Sequence, residues 1–139
     1  MSKEFIFKKL KQITKLVSEL EEILAISFSE FNQKFTNIRS AERNFQLIVE
    51  QASDINNHIL LEMGEDTPET YRASFTQIEK LGVLNNKISK ELVQSANLRN
   101  ILIHEYDFDQ DNFIFYKSVK KFIGTYKEYV LAIESYLNK

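Results

Sequence analysis

The chain has 139 residues, 43% of them hydrophobic and 27% charged, a balance that fits one folded domain with a single core and excludes a disordered tail. A formal net charge of −2 and a sequence pI of about 5.8 exclude a strong nonspecific pull on nucleic acid, so an activity on RNA needs a local basic patch or a site assembled from several elements. Cysteine is absent, which removes disulfides, thiolate nucleophiles and zinc–cysteine centres. The lysine-rich start has no apolar signal stretch and no apolar run approaches membrane-spanning length, so a cytoplasmic location with no membrane contact is expected.

One proline and three glycines leave few breaks for strands and turns, and long helices with short connections are expected. The first helix is predicted from about Lys3 to Ile26, with Ile13, Leu16, Leu20, Ile23 and Leu24 recurring at helical steps. Lys8, Lys11 and Lys15 form a separate basic stripe, read as a solvated face with RNA contact as the alternative. A connection is expected within Ser27 to Asn37. The next helix carries Ile38, Ala41, Phe45, Ile48, Ala52, Ile55 and Ile59 at alternating three- and four-residue steps, a continuous core seam. Gly64 is its expected C-terminal cap.

The other face of that helix holds Arg43, Gln46, Glu50, Asp54 and His58, with Leu47 and Leu61 beside them; a second subunit is one candidate to cover it. Thr67-Pro68-Glu69 reads as the start of a third helix, capped by Thr67 and ending at Gly82. Asn85 or Asn86 opens a fourth, with Ile88, Leu92, Ala96 and Ile103 expected to face inward and fraying expected near Tyr106. Asp109 or Asp111 opens a fifth, with Phe115, Val119, Phe122, Tyr126, Val130, Ile133 and Leu137 on its core face. The expected fold class is all-α, an antiparallel bundle of about five helices in one domain spanning residues 1–139.

Chemistry concentrates near the end of the fourth helix, in Arg99-Asn100-Ile101-Leu102-Ile103-His104-Glu105-Tyr106. Histidine titrates near neutral pH and can take or give a proton. Arginine offers a fixed fork of donors that matches phosphate oxygens. Neither requires a metal. Asn100 and His104 are about 40° apart in helical projection, and Arg99 and Tyr106 nearly eclipse one another, but Arg99 and His104 diverge by about 140°. Either the helix unwinds near His104 or two copies combine at one site, and the second is favoured. His58 has no nucleophile or ligand set near it in sequence and reads as a surface or interface residue. Asp107-Phe108-Asp109-Gln110-Asp111 imitates a calcium loop, but Asn112 and Ser118 occupy the positions that need glycine and glutamate. No metal and no cofactor is expected.

The segment Arg99 to Tyr106 resembles the R-x4-H-x-Y signature of HepT-like proteins of the HEPN family, with Asn100 matching the polar residue after the arginine. Glu42-Arg43-Asn44-Phe45-Gln46, Glu50, Asp54-Ile55 and His58-Ile59 resemble that family's long second helix. Pro68, Tyr71-Arg72 and Phe75 resemble its third. The resemblance implies a homodimeric, metal-independent endoribonuclease toxin. His104 would move the proton at the ribose 2′-hydroxyl, Arg99 would steady phosphate charge, and Asn100 would support one of them or the substrate. It also implies an MntA-like minimal nucleotidyltransferase antitoxin as partner, adding AMP to Tyr106 and blocking the site with bulk and negative charge. The alternative is a noncatalytic nucleotide- or substrate-binding subunit of such a nucleotidyltransferase.

Overall fold

A computed structural model describes residues 3–104 and 111–139. Six helices make up the described chain: α1 (Lys3–Ile23), α2 (Phe28–Gln33), α3 (Phe35–Glu62), α4 (Tyr71–Lys80), α5 (Asn86–His104) and α6 (Asp111–Leu137). α1 packs on α3 and α6, α4 lies against α3 and α5, and α5 also borders α6. Lys9 meets Asp54 and Asn44 meets Glu19, so α1 runs antiparallel to α3. Lys127 meets Glu21, and Tyr116 donates to the Ile26 carbonyl just past α1, which gives α1 and α6 the same relation.

The core follows the expected seams. Every member of the α3 series from Ile38 to Ile59 is buried, as are Ile88, Leu92 and Ala96 of α5 and Phe115, Val119, Phe122, Tyr126, Ile133 and Leu137 of α6. Val130 is half-buried, and Tyr129, outside the expected set, is buried completely. Ile103 departs from expectation: it is 43% exposed, while Leu102 beside it is half-buried against the core.

The helix ends explain the other differences. α1 stops at Ile23 rather than Ile26, and the expected connection contains α2. Ser27 caps α2 by accepting from the Glu30 backbone N–H, and Phe31 is driven into the core. Gly64 closes α3 at φ +77°, with the N–H groups of Gly64 and Glu65 donating to the carbonyls of Leu61 and Leu60. Gly82 repeats this pattern after α4, at φ +82°. Both satisfy carbonyls that a helix end otherwise leaves unpaired. α4 begins later than expected: Thr70, not Thr67, is the N-cap and accepts from the Ala73 N–H. Asn85 caps α5 through the Ile88 N–H. Asp111 opens α6; Asp109 and the expected fraying near Tyr106 lie outside the described residues.

Candidate functional site

Arg99 sits near the C-terminal end of α5, where that helix faces α3 and the first turn of α4. Its side chain is 16% exposed. One terminal nitrogen, Nη2, donates to Glu50 Oε2 of α3 at 3.5 Å and to the Tyr71 hydroxyl of α4 at 3.4 Å. Cζ lies 4.4 Å from the centre of the Tyr71 ring, a cation–π stack. Nη1 donates to Asn100 Oδ1 at 3.5 Å. Nε is buried and has no partner among the described residues. These separations exceed the usual N–H···O range, so the ring contact and burial do much to hold the guanidinium.

Arg99 and the exposed Asn100 border an open cleft of about 330 Å³, completed by Glu69, Thr70 and Tyr71. The cleft wall is the N-terminal end of α4. Two larger grooves, about 600 and 500 Å³, run between α1 and α6 beside Thr14, Ser18, Val130 and Glu134. They contain no residue of the α5 motif, and their size gives them no chemistry that the smaller cleft lacks.

The helix stays regular through His104. No unwinding therefore separates Arg99 from His104, and the divergence of about 140° between their positions on α5 persists. The structure brings Arg99 and Asn100 together at the cleft. It places His104 on the backbone of the last described turn, and Tyr106 falls outside the described residues. His58 is not part of this cluster: its ring stacks on Phe5 at 4.6 Å, and Nε2 stands 3.9 Å from Glu62 Oε1, beyond hydrogen-bond reach.

Glu50 and Tyr71 are the site residues that sequence reasoning missed. Glu50 was legible only as one member of the polar stripe on α3, and Tyr71 only as part of the third helix. The available signal was chemical: an arginine on a partly covered helix face requires an acceptor, and few acids lie on the facing stripe.

Around the motif, apolar side chains remain uncovered. Ile101 and Ile103 on α5 and Phe113 and Ile114 on α6 are all exposed, on the turns that flank residues 105–110. No described helix is long and apolar enough to cross a membrane.

A family model described as Ribonuclease HepT-like matches residues 13–133. The tRNA nuclease HepT of Aphanizomenon flos-aquae is 32% identical over 129 residues, 93% of this chain and 87% of that protein. The mRNA nuclease HepT of Shewanella oneidensis is 29% identical over 103 residues, 74% of this chain and 77% of that one. A solved structure of the tri-AMPylated Shewanella oneidensis HEPN toxin in complex with MNT antitoxin aligns with a TM-score of 0.84 at 26% identity, over 94% of this chain and 97% of that chain. The chain belongs to the HepT-like ribonuclease family.

Proposed function

We propose that the chain, residues 1–139 acting as one HepT-like domain, is a metal-independent endoribonuclease toxin of a cytoplasmic toxin–antitoxin pair. The observation that carries this reading is Arg99, held at an open cleft beside Asn100 and five residues before His104 on the same helix. Family membership and the nuclease relatives support the choice of RNA as substrate.

In this reading Arg99 binds the scissile phosphate and stabilises its growing negative charge. His104 takes the proton from the ribose 2′-hydroxyl or supplies one to the leaving 5′-oxygen. The 2′-oxygen attacks phosphorus, the bond to the 5′-oxygen breaks, and a 2′,3′-cyclic phosphate remains. Asn100 orients Arg99 or the substrate. Because Arg99 and His104 diverge on a regular helix, the composite site is built by two copies related by a dimer axis. The exposed Ile101, Ile103, Phe113 and Ile114 beside the motif support that pairing.

The antitoxin is a minimal nucleotidyltransferase that transfers AMP to Tyr106. The phenolic oxygen attacks the α-phosphorus of ATP, pyrophosphate leaves, and the proton goes to solvent or an enzyme base. The new phosphate puts negative charge where the RNA phosphate would bind. The AMPylated relative in complex with its MNT antitoxin supports this form of control.

The test is cleavage of RNA in excess EDTA. Wild type yields cyclic-phosphate ends, and Arg99→Ala and His104→Ala each abolish cutting without lowering the melting temperature. Incubation with the cognate nucleotidyltransferase, ATP and magnesium adds AMP mass to the peptide containing Tyr106, and Tyr106→Phe prevents it. Cleavage that EDTA stops would reject the mechanism. AMP found only on another tyrosine, such as Tyr71 or Tyr116, would reject Tyr106 as the acceptor.

A further inference from the structure

Phosphate chemistry explains Arg99 but not Glu50. A carboxylate beside a phosphate-binding arginine weakens its pull on an anion, so its presence needs another physical reason. Stability is a poor one: the Glu50 side chain is 30% exposed and the pair is 3.5 Å apart, and pairs of this kind contribute little.

Orientation is the better one. An arginine side chain has several rotatable bonds but ends in a rigid planar fork, so a contact that fixes its plane fixes all of its donors together. Glu50 Oε2 and the Tyr71 hydroxyl both accept from Nη2. The Tyr71 ring covers one face of the guanidinium. Two acceptors on one nitrogen set the rotation of the fork, and the ring sets its tilt. Nη1 hydrogen-bonds only Asn100 among the described residues, and Asn100 lines the cleft.

Both partners stand on rigid supports. Glu50 follows the buried pair Ile48 and Val49 on α3. Tyr71 is the first residue of α4, and its carbonyl accepts from the Ser74 hydroxyl at 2.7 Å. Ser74 in turn accepts from Asn56 Nδ2 of α3 at 2.9 Å.

We propose that Glu50 and Tyr71 are positioning residues that lock the Arg99 guanidinium, holding Nη2 inward and presenting Nη1 to a substrate phosphate. The proposal rests on the reading of Arg99 as the phosphate-binding group. Misplacement of such a group by about 1 Å can cost on the order of a hundredfold in rate, so the cost of Glu50's charge is offset by geometry.

Nitrogen-15 NMR of the intact protein tests the lock directly, with the Arg99 Nε–Hε signal assigned by its loss in Arg99→Lys. Wild type should show a dispersed signal that exchanges slowly with water. Glu50→Gln and Tyr71→Leu should move it to the position of solvent-exposed arginines, whereas Tyr71→Phe, which keeps the ring, should move it less. RNA cleavage then reads the consequence. Glu50→Gln should lower kcat by roughly ten- to a hundredfold without raising KM, because the remaining cation is less neutralised. An unmoved Arg99 signal or an unchanged kcat would each overturn the proposal. Wild-type cleavage by Arg99→Ala itself would overturn the functional reading of the site, and the proposal with it. Should Glu50→Gln fail to fold, Glu50→Asp shortens the reach to Nη2 while keeping the charge and is read the same way in the NMR measurement.

Discussion

Tyr129 of α6 donates its hydroxyl to Asn56 Oδ1 of α3 at 2.6 Å, with both residues completely buried. The same hydroxyl lies 3.1 Å from the Ala52 carbonyl. Asn56 passes the connection to Ser74, and Ser74 to the Tyr71 carbonyl. A polar thread through the core therefore ends at the residue that underlies Arg99.

Breaking that thread should destabilise the fold. Tyr129→Phe leaves Asn56 Oδ1 buried without its donor, and an unsatisfied buried acceptor costs about 1–3 kcal/mol. Differential scanning calorimetry should show a fall of several degrees in Tm. An unchanged Tm would mean that the hydroxyl is dispensable to the core.

A charge placed in the seam should be far more damaging. Ile48 and Phe122 are 1% and 5% exposed. Ile48→Asp or Phe122→Asp should cost several kcal/mol, comparable to the whole stability of a small domain. Far-ultraviolet circular dichroism should show loss of the cooperative melt.

Alkaline pH should weaken the protein through Tyr126 and Tyr129. Burial raises the pKa of both above the ordinary phenol value of 10.0, opposed at Tyr126 by its hydrogen bond with Ser95 and reinforced at Tyr129 by the proximity of Tyr126. The folded state therefore keeps protons that the unfolded state releases. The stability linked to these groups is complete below about pH 10 and falls as pH rises above it. Melting temperatures measured from pH 8 to 11 should decline at the upper end, and Tyr126→Phe should flatten the decline. Equal slopes for the two proteins would remove Tyr126 from the linkage.

The proposed dimer makes a separate prediction. Light scattering after size exclusion should give about twice the chain mass of 16.4 kDa. Ile103→Asp, at a side chain already 43% exposed, should leave Tm nearly unchanged, shift the protein toward monomer and remove RNA cleavage. Cleavage by a stable monomer would exclude a site shared between copies.

The helical faces were legible because burial repeats within a single helix. From Ile38 to Ile59 every expected core position is buried, since 3.6-residue periodicity is a property of the local chain. The ends at Gly64 and Gly82 were legible for a similar reason: their positive φ values suit glycine. The start of α2 was also written locally, as Ser27-Phe28-Ser29-Glu30, a capping pattern that the weak periodicity around it obscured.

Local properties of the chain thus set the helices, their apolar faces and the spacing of Arg99, Asn100 and His104. What Arg99 touches depends on how the helices pack. Thr67 and Thr70 offer competing caps for α4, and Ser74 and Phe75 must reach the core from that helix, which favours Thr70. Ile103 has helical spacing suited to burial but is 43% exposed, and Leu102 beside it packs on the core instead. Glu50 and Tyr71 stand 49 and 28 positions from Arg99. Propensity and capping act over a turn or two, whereas the acceptors of a guanidinium are chosen by the packing of three helices, and that choice leaves no periodic trace in the chain.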